Sequence, residues 1–504
     1  MSNIVKEFLI PGTNKGLFYG GRFQSSTSES KITVLDPARG VPFTTVPNGS
    51  AEDIRAAVSA SRAAFPGWAE LDALDRGRYL RAFAEVIRKN ISLLAVLESK
   101  VTGRALREMK AQMARIPEWL EYYAGIAPGL EGEANYVKGD YVTLTQYEPL
   151  GPTAILTPWN HPVLILIKKL SAALAAGNTC VIKPSELAPV SPLVIAALAS
   201  EAGLPDGVVN VVTGDSATGE ALCLADDIHF IDLTGGTETG RKVASAAGKR
   251  LIRTTMELGG KTPVVVCEDA DIDAAVAGVL FSAFVASGQT CVAGSRIIVH
   301  ESIYDRFSKK LAQRADQILL GDPMDENTQM GPVICQKSLD RCKQFIKIAN
   351  TEGARQISGL ELLQLDNEFA QGFYIRPTIF TDVKIDHTLF LEEVFGPVIS
   401  LTRVSSDQEA ITCANAGNFG LGVSIWSRDI GRAHRLSKTI RGGVIWLNDH
   451  HRNDPRSVWG GVKDSGFGKE NGWDALRAYL TKKSIVIRTK EGYDDWFKDG
   501  QRYG

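Results

Sequence analysis

Three residues in this chain have the chemistry to act on a carbonyl, and each stands beside a bend or at the end of an apolar run. Cys291 closes Gly288-Gln289-Thr290-Cys291, after a stretch of small residues. A cysteine beside a glycine-bearing bend can be reached by a substrate, and nearby helix ends can favour its nucleophilic thiolate. Glu257 precedes the paired glycines of Met256-Glu257-Leu258-Gly259-Gly260-Lys261. A carboxylate held there could take a proton from a thiol or a water. Asn160, in Trp159-Asn160-His161-Pro162, follows an apolar run and could offer its amide to a developing oxyanion. Taken singly, each has a plainer reading: a buried structural thiol, a solvated acid, a turn residue before a helix. Cys180, Cys223 and Cys267 lie in apolar segments and read as structural thiols.

A second set is suited to holding a ligand. Asp232–Gly240 follows an apolar run and opens a helical stretch. Gly235, Gly236 and Gly240 there would let backbone amides approach a pyrophosphate, whose charge a helix N-terminus favours. The common GxGxxG spacing is absent, with Thr237 in its third slot. Lys183-Pro184-Ser185-Glu186 ends another run, at the edge where open α/β sheets bind ligands, and Glu186 could accept hydrogen bonds from ribose hydroxyls.

These residues need a scaffold, and the hydrophobic pattern supplies one. Short apolar runs at 153–157, 179–182, 208–212 and 229–233 read as strands, with helices at 164–176 and 192–202 between them. A second series follows: strand 263–266, helix 272–287, strand 296–300 and helix 302–319. Such alternation with short loops predicts parallel α/β sheets covered on both faces. Helices are expected at 51–65 and 75–90, extended segments at 141–147 and 481–488, and loop over 442–464. At 504 residues the chain is too long for one core, so two or three domains are expected. A net charge of −2 gives no polybasic field for nucleic acid or an anionic membrane. No apolar run approaches the ~20 residues of a membrane span. The N-terminus lacks the apolar region of a secretory signal, and the seven scattered cysteines have neither metal-binding nor disulfide-scaffold spacing. A cytoplasmic enzyme is the expectation, with no metal site.

Six motifs, in order, resemble the aldehyde dehydrogenase superfamily from about residue 16 to 488: Pro158-Trp159-Asn160, Lys183-Pro184-Ser185-Glu186, Gly235–Gly240, Glu257-Leu258-Gly259-Gly260-Lys261, Gly288–Cys291 and Glu393-Val394-Phe395-Gly396-Pro397. The resemblance implies a Rossmann-like cofactor domain (1–127 and 148–257), an α/β catalytic domain (258–474), and a β oligomerisation arm and tail (128–147 and 475–504). It implies a homodimer or homotetramer. It makes Cys291 the nucleophile, Asn160 with the Cys291 N–H the oxyanion hole, and Glu257 the base that activates water against a thioester. It places Lys183, Ser185 and Glu186 at the adenosine ribose, Gly235, Gly236 and Gly240 by the pyrophosphate, Glu393 and Phe395 at the nicotinamide ribose, and Trp159 along the cofactor. A carboxylate at 186 repels a 2′-phosphate, so NAD is expected over NADP.

The tunnel to the cysteine departs from the apolar family pattern. Arg115, Lys168, His451, Asn453 and Trp459 fall at its expected lining positions. If Arg115 and Lys168 face inward, a cationic mouth would pair with a carboxylate and favour a semialdehyde bearing an acid group. Otherwise an aromatic or aliphatic aldehyde is expected. A CoA-acylating enzyme would not need Glu257. A scaffold without catalysis would not need Cys291, Glu257 and Asn160 together.

Overall fold

Apolar runs bounded by turn residues become strands buried on both faces: Thr153–Thr157, Cys180–Pro184 and Thr262–Val266 are buried at every position. Strands of that kind need helices over both faces, and two mainly parallel sheets result. The computed structural model describes residues 2–137, 140–361, 363–365, 367–492 and 495–499. Positions 1, 138–139, 362, 366, 493–494 and 500–504 of the expected domains lie outside the described residues. The architecture is α/β.

The first sheet runs Arg22–Gln24, Leu17–Tyr19, Val209–Val211, Cys180–Pro184, Thr153–Thr157, Phe230–Thr234, Arg253–Glu257 and Gly466–Phe467. From Thr153–Thr157 the chain first builds outward one way, through Cys180–Pro184 and Val209–Val211. It then returns to build the other way from Phe230–Thr234. The order reverses between Thr153–Thr157 and Phe230–Thr234, and the crevice at the carboxyl ends of such neighbours is where open α/β sheets take ligands. The second sheet runs Arg355–Ser358, Thr378–Thr381, Val398–Val404, Gly294–His300, Thr262–Val266, Gly422–Trp426 and Val444–Leu447. A third sheet pairs Leu480–Arg488 antiparallel with Tyr141–Pro149, and Glu133–Val137 forms its outer, exposed strand. No helix among the described residues is long and apolar enough to cross a membrane.

Three expectations change. The helix read over 272–287 stops at Phe284, and Val285–Gly288 turns off in a short kinked segment. The loop read over 442–464 contains the strand Val444–Leu447, whose β-branched and aromatic residues finish the edge of the second sheet. The helix seen at 75–90 is longer, Ala73–Thr102, and closes on left-handed Gly103.

Candidate active site

The reactive residues come from the ends of neighbouring elements. Glu257 is the last residue of its strand, and Asn160 follows the end of Thr153–Thr157. Cys291 comes after Ala286, Ser287 and Gly288, three successive residues with left-handed φ of 53°, 55° and 71°. A Cβ on Gly288 would lie 2.5 Å from the Gly396 carbonyl, and one on Gly260 would lie 2.3 Å from the Cys291 carbonyl oxygen. Both glycines therefore let the cysteine segment seat against backbone that a side chain would block.

Asn160 is buried, and its Nδ2 donates to the Gln289 carbonyl at 2.8 Å. An amide NH2 has two donors, so this bond leaves one available. Glu257 is buried, and neither carboxylate oxygen has a hydrogen-bond partner among the described residues. Burial raises its carboxyl well above the usual range, and the charge of Glu470 adds to this. Lys169 and Lys168 pull it partly back. Burial likewise pushes the Cys291 thiol up to about 12, reinforced by Glu257 and opposed by Lys168. The helix before the cysteine segment ends at Phe284, while the helix Pro162–Ala175 starts beside Asn160, its first turns lining the same pocket as Cys291.

One pocket is lined by Cys291, Glu257, Lys168, His451, Asn453 and Trp459, and His161, Ile165 and Glu470 are among its other walls. The Lys168 ammonium is buried there, 2.6 Å from Glu470 Oε2 and 4.7 Å from the centre of the Trp459 ring. Lys169 pairs with Glu470 Oε1 at 2.6 Å and also with Asp232, which accepts from the Tyr479 hydroxyl at 2.5 Å. Burial alone would raise the Glu470 carboxyl, yet the two ammoniums hold it well below its usual range. Arg115 is not in the lining; it pairs with Glu118 at 2.9 Å and lies over Trp119. His451, with φ of 62°, and His161 are held neutral, chiefly by burial. Asn453 accepts from Asn471 at 3.0 Å.

The other predicted residues gather along the crevice of the first sheet. Gly236 caps the helix Thr237–Lys249 with no side-chain cap bond, and a Cβ there would meet nothing within 4 Å. Free N–H groups beside open space form a cradle for an anion. Gly235 donates to the Glu257 carbonyl at 3.0 Å, and Gly240 packs against Leu258. Lys183 is buried with its ammonium 3.7 Å from Glu186, which is half-exposed, and Ser185 donates its N–H to the Thr157 carbonyl. Glu393 accepts from the Gly260 N–H at 2.9 Å, and burial moves its carboxyl up to about 7. Phe395 meets Trp159 edge-on at 5.3 Å.

Sequence reasoning missed Glu470, Lys169 and Asp232 as parts of this site, along with Arg104, Glu108 and His161. One signal was available: a Lys168-Lys169 pair inside the apolar helix Pro162–Ala175 requires buried acids opposite.

A family model described as the aldehyde dehydrogenase family matches residues 23–485. A protein named betaine aldehyde dehydrogenase from Bacillus subtilis (strain 168) is 38% identical over 485 residues, covering 95% of this chain and 99% of its own. One named hydroxyisobutyraldehyde dehydrogenase from Mycolicibacterium austroafricanum is 38% identical over 472 residues, covering 94% and 93%. A crystal structure of PnpE in complex with nicotinamide adenine dinucleotide superposes with a TM-score of 0.94 at 38% identity, covering 96% of this chain and 100% of that one. With its motifs, its fold and these likenesses in accord, the chain belongs to the aldehyde dehydrogenase family.

Proposed function

We propose that the protein oxidises an aldehyde to a carboxylic acid through an acyl group carried on Cys291, with NAD as the hydride acceptor. The observation that carries this reading is a single pocket holding Cys291 and Glu257, with Asn160 fixed against the cysteine segment. As the sulfur–carbon bond forms, the Cys291 thiol proton passes to water, and the carbonyl π pair moves onto the oxygen to make an alkoxide. The free Asn160 N–H and the Cys291 N–H, which has no partner among the described residues, are the donors for it. NAD, when bound, would accept the hydride from the former carbonyl carbon, the two-electron oxidation that a thioester on Cys291 requires. Glu257 in its ionised form then takes a proton from water, whose oxygen attacks the acyl carbon and releases the acid and the thiol.

The cofactor residues fit a dinucleotide: the uncapped helix at Gly236 for the pyrophosphate, Lys183 and Glu186 for the adenosine ribose, and Glu393 with Phe395 for the nicotinamide end. A half-exposed carboxylate at 186 disfavours a 2′-phosphate, so Glu186→Ser is expected to raise the NADP-to-NAD ratio of kcat/KM by about tenfold or more. An unchanged ratio in steady-state assays would remove Glu186 from cofactor choice. The exposed outer strand Glu133–Val137 is read as part of an interface between copies, in a homodimer or homotetramer.

Two cations were expected to meet a substrate carboxylate, and both already have acids: Lys168 has Glu470, and Arg115 has Glu118. The relative named for betaine aldehyde suggests a quaternary ammonium substrate, but here Lys168 covers the Trp459 face and repels a second cation. Beside the Lys168–Glu470 pair and Glu257, the pocket offers uncharged polar groups, His161, His451, Asn453, Thr234 and Thr290, among apolar walls of Leu164, Ile165 and Leu258. The reading is therefore a short neutral aldehyde bearing a hydroxyl, the character of the substrate named for the hydroxyisobutyraldehyde relative. A carboxylated semialdehyde, sharing Lys168 with Glu470, ranks second. In a matched series, kcat/KM should fall from hydroxylated to carboxylated to quaternary ammonium aldehydes, the last about tenfold or more below the first. Lys168→Met should narrow that gap, and a wild-type preference for the quaternary ammonium would sink the reading.

A further inference from the structure

We propose that Arg104 and Glu108 brace the oxyanion donor Asn160 against the segment that carries Cys291, acting as positioning residues; this rests on the roles of Asn160 and Cys291 proposed above. Arg104 follows left-handed Gly103 and is buried, and each of its guanidinium nitrogens is engaged. Nε donates to Glu108 Oε1 at 3.1 Å, and Nη2 contacts the same oxygen. Nη1 donates to the Asn160 backbone carbonyl at 3.1 Å, and lies 2.7 Å from His161 Nδ1 and 3.0 Å from Gln112 Oε1. The other Glu108 oxygen, Oε2, accepts from the Ala286 N–H at 3.2 Å.

A continuous path follows. It runs from the Asn160 carbonyl through the guanidinium and the carboxylate to Ala286, and the bond from Asn160 Nδ2 to the Gln289 carbonyl closes it into a ring. Ala286 and Ser287 occupy a backbone region that residues with a Cβ hold only under tertiary support. The Glu108 carboxylate supports the first, and a bond from Ser287 Oγ to the Gly331 carbonyl supports the second. The planar guanidinium fork fixes the Asn160 peptide in the same stroke. Donor and nucleophile are thereby referred to one rigid group, which is what a preorganised oxyanion site requires.

The test uses the full-length enzyme with NAD and propanal, reading the first-turnover burst of NADH. Asn160→Ala should slow the burst about 100-fold. Arg104→Met should slow it about tenfold or more, and adding it to Asn160→Ala should cost little further, because it acts through the group already removed. Alkylation of Cys291 by iodoacetamide builds no oxyanion, so it should change by less than about threefold in Arg104→Met. Losses that multiply in the double variant would overturn the brace, as would alkylation falling in step with the burst. Should Arg104→Met fail to fold, Glu108→Gln keeps the shape and a carbonyl for Ala286 but loses the charge. It should slow the burst about threefold or more with alkylation intact, and an unchanged burst there also overturns the proposal. If Asn160→Ala alone runs at the wild-type rate, the oxyanion reading fails first and this inference falls with it.

Discussion

Cys291→Ala is expected to lose NAD reduction with every aldehyde, by about 1,000-fold or more, while NAD binding stays near the wild-type affinity. The loss is this large because no second thiol can substitute. Of the other six cysteines, five are buried: Cys180, Cys223, Cys267, Cys342 and Cys413. The sixth, Cys335, does not line the pocket. Only Cys291 combines a place in the pocket with a neighbouring acid and a neighbouring amide donor. Burial holds the resting thiol protonated near neutral pH, so kcat/KM should climb as pH rises toward the thiol's raised range. A variant retaining a tenth of the activity would return Cys291 to the structural thiols.

Glu257→Gln should separate the two halves of the reaction. Acylation proceeds, so rapid mixing gives a burst of about one NADH per active site, followed by turnover slowed about 100-fold to 10,000-fold. The pH dependence has a definite sign. The base acts only when ionised, and burial with the Glu470 charge sets its titration above the ordinary carboxylate range. In the wild type kcat therefore rises with pH through that raised range, and Glu257→Gln loses this limb. Lys168 is one of the charges holding Glu257 down, so Lys168→Met should move the limb to higher pH. A wild-type kcat flat from about pH 5 to about pH 9 would deny Glu257 the role of base in a rate-limiting hydrolysis.

What the sequence made legible was the set of residues fixed by local backbone need. Strand runs such as 153–157 and glycine-marked ends announced themselves, because burial on both faces and tight turns leave a one-dimensional trace. The order of six motifs then tied those ends into one family. Partners far apart in the chain left no trace. Arg104 reaches Asn160 across 56 positions, and Glu108 reaches Ala286 across 178. Spacing from the family motifs set Lys168 at an expected lining position and left its direction open, and its acid, Glu470, comes from a loop with no marking pattern. The helix expected through Ser287 overran for a related reason. Local propensity sets no stop at Phe284, since Val285, Ala286 and Ser287 all tolerate a helix. What turns Ala286 and Ser287 left-handed is Glu108 and Gly331 in the folded chain.

The buried group of Lys168, Lys169, Asp232 and Glu470 also constrains how this enzyme can change. Two positive and two negative side chains stand together, and their formal charges cancel. Removing one leaves a buried charge without its partner, which costs several kcal/mol. Lys168 lines the pocket with Cys291, so a change in taste at that wall is also a change in the foundation. Divergence toward another aldehyde is expected to move in pairs, with Lys168 and Glu470 exchanged together for uncharged residues, while Lys169 and Asp232 stay as a pair that still cancels.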